Sequence, residues 1–208
     1  MTVVDQVPEH QGRKENRRLI VGISGATGII YGIRLLEALR KTNVETHLVV
    51  TKAAELTRSY ETTLTSQNLR DLADVNYSIG DVGAAIASGS FRTMGMVVAP
   101  CSIKTMSEVA NGVTSNLLTR AGDVVLKERR RLVLMVRESP LTAIHLRNLL
   151  ALTDSGAIIA PPVPAFYALP QTLDDIVQHS IGRVLDLFDI DIGLQRWGDD
   201  GSLSKSAK

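Results

Sequence analysis

The feature that most constrains the fold is an apolar run that passes through a small-residue loop into a helical pattern. The segment reads LIVGISGATGIIYGIRLLEALR and spans residues 19–40. Such a short apolar run predicts a parallel strand buried on both faces. The glycines of the loop at residues 25–28 allow a ligand to approach backbone N–H groups at the start of a helix, where the dipole favours an anion. We expect a phosphate there, with Ser24 and Thr27 offering hydroxyls.

The spacing of this loop excludes the two commonest nucleotide-binding loops. It matches neither the G-x-G-x-x-G of dinucleotide-binding proteins nor the P-loop, whose lysine it lacks. A mononucleotide phosphate is therefore the better candidate ligand.

Composition and charge limit the class of protein. The chain has 208 residues, of which 44% are hydrophobic, and a formal net charge of +1, which suits one α/β domain and gives no basic surface for nucleic acid. No apolar run approaches the ~20 residues needed to span a bilayer. The single cysteine excludes an internal disulfide and favours a reducing compartment. We predict a cytoplasmic protein that binds small molecules and neither nucleic acid nor membrane.

Strand and helix patterns alternate along the chain. Further strands are predicted at 44–51, 94–100, 131–136 and 157–160. Helices are predicted at 52–60, from just after residue 105 to about residue 111, and at 116–128, 140–152 and 173–187. Thr172 and Asp175 form an acidic variant of a capping box before the last helix. The alternation predicts a single domain, α/β, with a three-layer, doubly wound, mostly parallel sheet of Rossmann-like or flavodoxin-like type. We place this domain at residues 18–197, between a disordered extension (1–17) and a flexible tail (198–208).

Ligands of such sheets bind at the carboxyl ends of the strands, which locates the candidate site. Loops with glycines, hydroxyls or charges occur there at residues 25–28, 51, 88–90, 102–105, 137–138 and 165–167.

The basic residues near these loops allow two interpretations. Guanidinium and ammonium groups bind phosphate through charge-assisted hydrogen bonds, but cations at helix ends are commonly solvated. Position alone favours function for Arg137, which directly follows an apolar strand, and solvation for Arg183 and for residues 129–131. The candidate anion-binding cations are Lys104, Arg120, Lys127, Arg137 and Arg183.

Other reactive residue types have simpler explanations. Cys101 ends an apolar strand without a nearby histidine, which favours a buried packing residue over a nucleophile. The spacing of the histidines indicates no metal site. For Glu61, a capping or solvated carboxylate is the default interpretation and a general base the alternative. Tyr167 lies on a proline-stiffened loop, where it either packs in the core or presents its hydroxyl to a ligand.

Five segments, in the same order, resemble the UbiX-type flavin prenyltransferases, formerly described as aromatic acid decarboxylase subunits. The likeness covers about residues 18–197 and implies a flavin-binding domain and enzymatic transfer of the dimethylallyl group of dimethylallyl phosphate to N5 and C6 of reduced FMN, without a metal. The segments are SGATG (24–28), PCSIKT (100–105), RAGDVVLKER (120–129), LVLMVRESP (132–140) and PPVPAFY (161–167).

The resemblance also assigns residues. It implies catalytic roles for Glu61, Lys127 and Glu138. It also implies that Lys127 and Arg183, which position alone would leave on the surface, bind phosphate. The FMN residues so implied are Gly25, Ala26, Thr27, Thr51, Ser102, Ile103, Lys104, Thr105 and Arg137. The residues implied for the prenyl phosphate are Ser90, Arg120, Lys127, Arg137, Glu138, Tyr167 and Arg183, some of them supplied by a neighbouring subunit.

The resemblance further implies partners and leaves two alternatives. It implies a homo-oligomer, a dodecamer as the family tends to be, and a UbiD-type decarboxylase that receives the prenylated FMN. Thr27 stands where many relatives have serine, which keeps the hydroxyl. One alternative is an FMN-dependent decarboxylase acting directly on an aromatic or cysteinyl acid, although the related cysteine decarboxylases have a Pro-x-Met-Asn pattern where this chain has Phe166 and Tyr167. The other is a non-catalytic flavin carrier.

Overall fold

The computed structural model describes residues 17–194, 196 and 198, so most of the predicted extension and tail lies outside the described residues. This part of the chain contains six strands and seven α-helices. They are β1 (Arg18–Ile23), α1 (Ile30–Leu39), β2 (Glu45–Val50), α2 (Lys52–Glu61), α3 (Ser66–Arg70), β3 (Val75–Tyr77), β4 (Gly95–Cys101), α4 (Ile103–Ala110), α5 (Leu117–Lys127), β5 (Arg131–Val136), α6 (Ala143–Asp154), β6 (Ile158–Ile159) and α7 (Leu173–Asp186).

The strands form one sheet in the order β3-β2-β1-β4-β5-β6, and every neighbouring pair is parallel. This order confirms the predicted doubly wound α/β fold. The chain changes direction across the sheet between β1 and β4, and ligands of such folds bind in the crevice at that point.

Burial of both faces of the sheet is visible in β1. Leu19, Val21 and Ile23 pack in one core cluster with α1 and α7, whereas Ile20 packs in a second cluster with α4 and α5. Successive side chains of a strand point to opposite faces, so a continuous apolar strand needs a helical layer on each side. The three layers follow from this pattern.

The register of the central strands brings their carboxyl ends to one edge, called here the carboxyl edge. Gly22 of β1 lies opposite Val49 of β2 and Val98 of β4. Beyond the strands, the Thr51 N–H donates to the carbonyl of Ile23 at 3.0 Å. The loops that follow β1, β2, β4 and β5 therefore begin side by side.

Four elements differ from the sequence-based prediction. Helix α4 begins at Ile103, within the loop predicted to run to residue 105, because the Ser102 side chain caps the helix there. The polar stretch after α2 contains α3 and the edge strand β3, neither of which has an apolar run that would reveal it. Helix α6 begins at Ala143, not at residue 140, because Thr142 forms a capping box with His145. The capping box of Thr172 and Asp175 is confirmed.

None of the helices in the described residues is both long enough and apolar enough to cross a membrane.

Candidate functional site

The N-terminus of α1 binds a carboxylate of the chain itself. Glu61, the last residue of α2, accepts hydrogen bonds from the N–H groups of Gly28 at 2.9 Å and Ile29 at 3.0 Å, and from the Thr27 hydroxyl. A carboxylate here satisfies free N–H groups and complements the helix dipole. The sequence predicts a phosphate at the N-terminus of this helix. In the structure, the Glu61 carboxylate caps that N-terminus instead.

Ser24 also serves the fold. Its side chain is buried, and its hydroxyl donates to the carbonyl of Pro100 at 3.0 Å and accepts from the N–H of Ser102 at 2.7 Å. These bonds join the loop after β1 to the loop after β4. The Ser24 hydroxyl therefore uses its hydrogen bonds to align two loops of the carboxyl edge.

A cavity of about 560 Å³ opens at the carboxyl edge, and three helices begin in its wall. Thr51, Ser102 and Asn116 are the N-caps of α2, α4 and α5, and all three line the cavity. Helix N-termini carry partial positive charge and N–H groups that favour anions. Convergence of three of them suits this cavity to a negatively charged ligand.

Two lysines add charge to this wall. Lys52 and Lys104 lie in the first turns of α2 and α4 and line the same cavity. Lys104 lies 3.7 Å from Glu108 with a side chain that is 80% exposed. Lys52 forms no ion pair with any other residue that the structure describes. Both ammonium groups are thus accessible to a ligand phosphate.

Gly25 is required by packing in this wall. A Cβ atom on Gly25 would overlap the Cβ of Ala53 and lie 3.0 Å from its carbonyl carbon. Glycine at this position therefore lets the loop after β1 lie directly on α2, which closes one side of the cavity.

Two charged residues follow β5 at the same edge. Arg137 and Glu138 are exposed, and the N–H of Arg137 donates to the carbonyl of Cys101 at 3.1 Å. Among the described residues, the Arg137 guanidinium has no hydrogen-bond or ion-pair partner. Burial raises the pKa of Tyr31 on α1, and the positive charge of Arg137 opposes that rise. The unpaired Arg137 guanidinium therefore lies at the carboxyl edge, near Tyr31 of α1.

Lys127 and Ser90 lie at the opposite, amino edge of the sheet, so the prediction that residues 88–90 lie at the carboxyl ends of the strands is wrong. Lys127 ends α5 just before β5 begins at Arg131, and the loop of residues 88–91 precedes β4. The six residues of β5 separate Lys127 from Arg137, which corresponds to ~20 Å at about 3.3 Å per residue. A phosphate group is only a few ångströms across, so it cannot contact both cations of one chain.

A second cavity, of about 350 Å³, contains two further predicted residues. Tyr167 and Arg183 line it together with apolar residues such as Met135 and Leu187. Arg183 also pairs with Asp186 at 2.7 Å. The Tyr167 hydroxyl lies 3.1 Å from Nε2 of His179, a residue of α7 that is 8% exposed.

The predicted residues thus fall into separate groups. Three predicted FMN residues do not line the larger cavity but are next in sequence to residues that do: Ala26, Thr27 and Ile103. Arg120, predicted to bind the prenyl phosphate, forms an ion pair with Asp123 on α5 at 3.0 Å. The FMN residues that line the larger cavity are Gly25, Thr51, Ser102, Lys104 and Thr105. Their roles, like those of the prenyl-phosphate residues, remain predictions.

Sequence reasoning missed Asn116 and Lys52, which also line the larger cavity. A signal for Asn116 was present, since Asn116 and Thr119 form a capping box at the start of α5. Lys52 directly follows the N-cap Thr51 and could have been found in the same way.

The remaining reactive residue types have structural roles. Cys101 is fully buried, and burial raises the pKa of its thiol, as expected for the packing residue that the sequence predicts. His47 is also buried, with Nδ1 2.9 Å from the Tyr77 hydroxyl. Within the described residues, no group of three or more His, Cys, Asp and Glu side chains is placed to hold a metal ion.

Comparison with known proteins identifies the family. A family model described as Flavoprotein matches residues 7–185. The flavin prenyltransferase UbiX of Neisseria meningitidis serogroup B is 58% identical over 175 residues, which are 84% of this chain and 93% of the relative.

Two solved structures agree with this match. AnUbiX in complex with FMN and dimethylallyl pyrophosphate has a TM-score of 0.86 and 52% identity, over 88% of this chain and 97% of that chain. A dodecameric FMN-dependent UbiX-like decarboxylase from Escherichia coli O157:H7 has a TM-score of 0.85 and 50% identity, over 86% and 98% of the two chains. The matches in sequence and in fold lead to the same conclusion: the chain belongs to the UbiX family of flavin prenyltransferases.

Proposed function

We propose that this enzyme transfers the dimethylallyl group of dimethylallyl phosphate to N5 and C6 of reduced FMN. The prenylated FMN then serves a UbiD-type decarboxylase. The observation that carries the proposal is the larger cavity, whose donors suit a flavin mononucleotide, in a chain that is 52% identical to a UbiX protein solved with FMN and dimethylallyl pyrophosphate.

The larger cavity fits FMN in size and in the chemistry of its donors. Its volume of about 560 Å³ lies in the ~300–1,000 Å³ range of small-molecule sites. Thr51, Ser102 and Asn116 place three helix N-termini around it, and Lys52 adds a cation. These groups would hold the phosphate of FMN, with the backbone of residues 25–27 beside the flavin. When bound, reduced FMN supplies the nucleophilic positions of the reaction.

The prenyl phosphate needs cations and an apolar wall. Loss of phosphate from an allylic carbon leaves positive charge on the prenyl group and negative charge on the leaving group, which fixed cations stabilise. Arg137 and Arg183 would bind that phosphate, Tyr167 would donate its hydroxyl hydrogen, and Glu138 would orient or protonate the leaving group. Apolar residues of the second cavity would contact the five-carbon chain.

Glu61 has two roles in the proposal. Its hydrogen bonds to the α1 N-terminus hold the loop of residues 25–28 in place. The same carboxylate would assist proton removal as the new flavin ring closes, because a carboxylate next to the flavin can act as a base.

The separation of Lys127 from Arg137 supports a site shared between subunits. The cations lie at opposite edges of one chain, ~20 Å apart, so Lys127 and Ser90 of a neighbouring copy would complete each site. We therefore propose a homo-oligomer, and a dodecamer by analogy with the E. coli O157:H7 neighbour. The single cysteine supports a cytoplasmic location.

The test is an anaerobic incubation of the purified protein with reduced FMN and dimethylallyl phosphate, followed by the mass and absorption spectrum of the released flavin. We expect a gain of one C5 unit and a changed spectrum. Unmodified FMN from protein that binds it would contradict the proposal, and release of carbon dioxide from an aromatic or cysteinyl acid by the protein alone would indicate direct decarboxylation. A parallel reaction with dimethylallyl pyrophosphate would identify the preferred donor.

A further inference from the structure

We propose that Arg130 and Gly89 are positioning residues for the Lys127 ammonium group at the amino edge. They would hold the loop of residues 88–91 against the end of α5, so that Lys127 and Ser90 face one phosphate. The inference rests on the proposed function, because it takes Lys127 as a ligand of the prenyl phosphate.

Arg130 fastens the loop of residues 88–91 to the junction between α5 and β5. Its Nη1 donates to the carbonyl of Phe91 at 2.7 Å, and its Nη2 donates to the carbonyl of Gly89 at 2.6 Å. The Arg130 side chain is only 17% exposed. A planar guanidinium can hold two carbonyls at once, which a lysine ammonium group does less well.

Gly89 lies directly on the Lys127–Glu128 ion pair. A Cβ atom on Gly89 would overlap the Glu128 carboxylate and lie 2.9 Å from Nζ of Lys127. Arg130 Nη2 lies 3.9 Å from the other oxygen of that carboxylate. The hydrogen bond from Lys127 lowers the pKa of Glu128. Glu128 therefore stays ionised and links the two cations under the loop.

The far side of the loop is fixed as well. The Phe91 ring packs edge-on against His47, with centroids 5.2 Å apart, and the Arg18 guanidinium lies 4.6 Å from the Phe91 ring centre. Ser88 and Ser90 join their hydroxyls at 2.9 Å within the loop. The loop is thus held between β1 and β2 on one side and the α5–β5 junction on the other.

These contacts give Arg130 a specific effect on Lys127. The carbonyls of Gly89 and Phe91 are satisfied by Arg130, so they do not compete for the nearby ammonium group. Without Arg130, both carbonyls would need other donors, and the Lys127 ammonium group already lies against Gly89. The Lys127 ammonium would then be drawn from the phosphate toward the loop, which weakens binding of the prenyl donor.

The experiment measures prenylation rates at saturating reduced FMN over a range of dimethylallyl phosphate concentrations. For Arg130→Gln we expect a rise in KM of about tenfold with little change in kcat, equivalent to the loss of one hydrogen bond to a charged group. The matched control is Arg129→Gln, which removes the same charge from an exposed residue that has no hydrogen-bond or ion-pair partner in the described ranges. Arg130→Lys keeps the positive charge but loses the two parallel donors of the guanidinium, so its KM should lie between those of Arg129→Gln and Arg130→Gln.

A second variant tests the loop without removing a charge. Gly89→Ala should push the loop off Lys127 and raise the KM in the same way, although Arg130 is intact. Gly83→Ala is its control, because a Cβ atom there finds its nearest neighbour, Asp81 Oδ1, at 3.7 Å. The dissociation constant for FMN, whose cavity lies at the other edge, should stay at the wild-type value in all five variants.

Two outcomes would overturn the inference. If Lys127→Ala abolishes activity while Arg130→Gln and Gly89→Ala keep the wild-type KM, positioning by these residues is wrong and the proposed function stands. If Lys127→Ala itself keeps both the wild-type KM and the wild-type kcat, the phosphate role of Lys127 fails and the positioning role fails with it. A rise in KM accompanied by equal loss of FMN affinity would indicate a general folding defect and would also count against the inference.

Discussion

The two edges of the sheet bind charge in different ways. At the carboxyl edge, helix N-termini capped by Thr51, Ser102 and Asn116 surround an open cavity. At the amino edge, Lys127 and Arg130 share Glu128, and Arg18 pairs with Glu45 at 3.2 Å. Backbone N–H groups are fixed by the fold, whereas a paired ammonium group must exchange its partner when a ligand arrives. The donors of the carboxyl edge could thus meet a ligand without rearrangement, whereas Lys127 at the amino edge would have to leave Glu128 to bind one.

The largest expected effect tests whether the two edges work in one subunit or between subunits. Lys127→Ala and Arg137→Ala should each lower prenylation by about 100-fold or more, because each removes a cation from the leaving phosphate. If sites are shared, mixing the two variants under conditions of subunit exchange should restore activity to about a quarter of wild type, the fraction of sites with both intact edges. A mixture as inactive as its components would contradict the shared site.

The next prediction concerns the packing of the carboxyl edge. Gly25→Ala should destabilise the fold by about 1–3 kcal/mol, because the new methyl group overlaps Ala53. It should also weaken FMN binding, which fluorescence titration measures. The control Gly83→Ala has room for the methyl group. Wild-type FMN affinity in Gly25→Ala would show that this wall of the cavity adapts and that the glycine is unnecessary.

Two N-cap variants distinguish an effect on folding stability from an effect on FMN binding. Ser102→Ala and Thr142→Ala each remove an N-cap, of α4 and α6 respectively, and each should cost about 1 kcal/mol in unfolding free energy. Only Ser102 lines the larger cavity, so only its variant should also lose FMN affinity. Equal FMN binding by both variants would contradict a role for the α4 N-terminus in holding the phosphate.

The smallest expected effect is on stability as a function of pH. Burial lowers the pKa of His47 in the folded protein, an effect that exceeds the opposing charge of Glu45. The unfolded chain protonates this residue below about pH 6.5, and the folded chain does so only at a lower pH. The unfolding free energy should therefore fall as the pH drops below that value, by at most about 1.4 kcal/mol per pH unit. His47→Gln should reduce this slope in urea unfolding at fixed protein concentration, and an unchanged slope would contradict the assignment.

Much of the fold follows from local patterns in the chain. Short apolar runs such as residues 19–23 need helices on both faces, and hydroxyl residues at strand ends, such as Thr51 and Ser102, are found as helix caps. The edge strand β3 was missed because its burial depends on one neighbour, β2, and leaves no apolar run.

The site was harder to predict, because it depends on contacts between distant residues. Glu61 meets the N–H of Gly28 across 33 positions of sequence, and no local pattern places α2's end at α1's start. The opposite locations of Lys127 and Arg137, in contrast, could have been deduced, since one precedes β5 and the other follows it. Resemblance to the family named both residues without showing that one chain keeps them apart.

The length of β5 has a consequence for how this enzyme behaves on dilution. If both cations bind the prenyl phosphate as proposed, a lone copy, with Lys127 at one end of that strand and Arg137 at the other, would lack a complete phosphate site. Catalysis would then obey mass action among subunits, so that specific activity rises with enzyme concentration until assembly is complete. Because a single six-residue strand separates the two cations, turnover per chain would depend on how many chains are assembled.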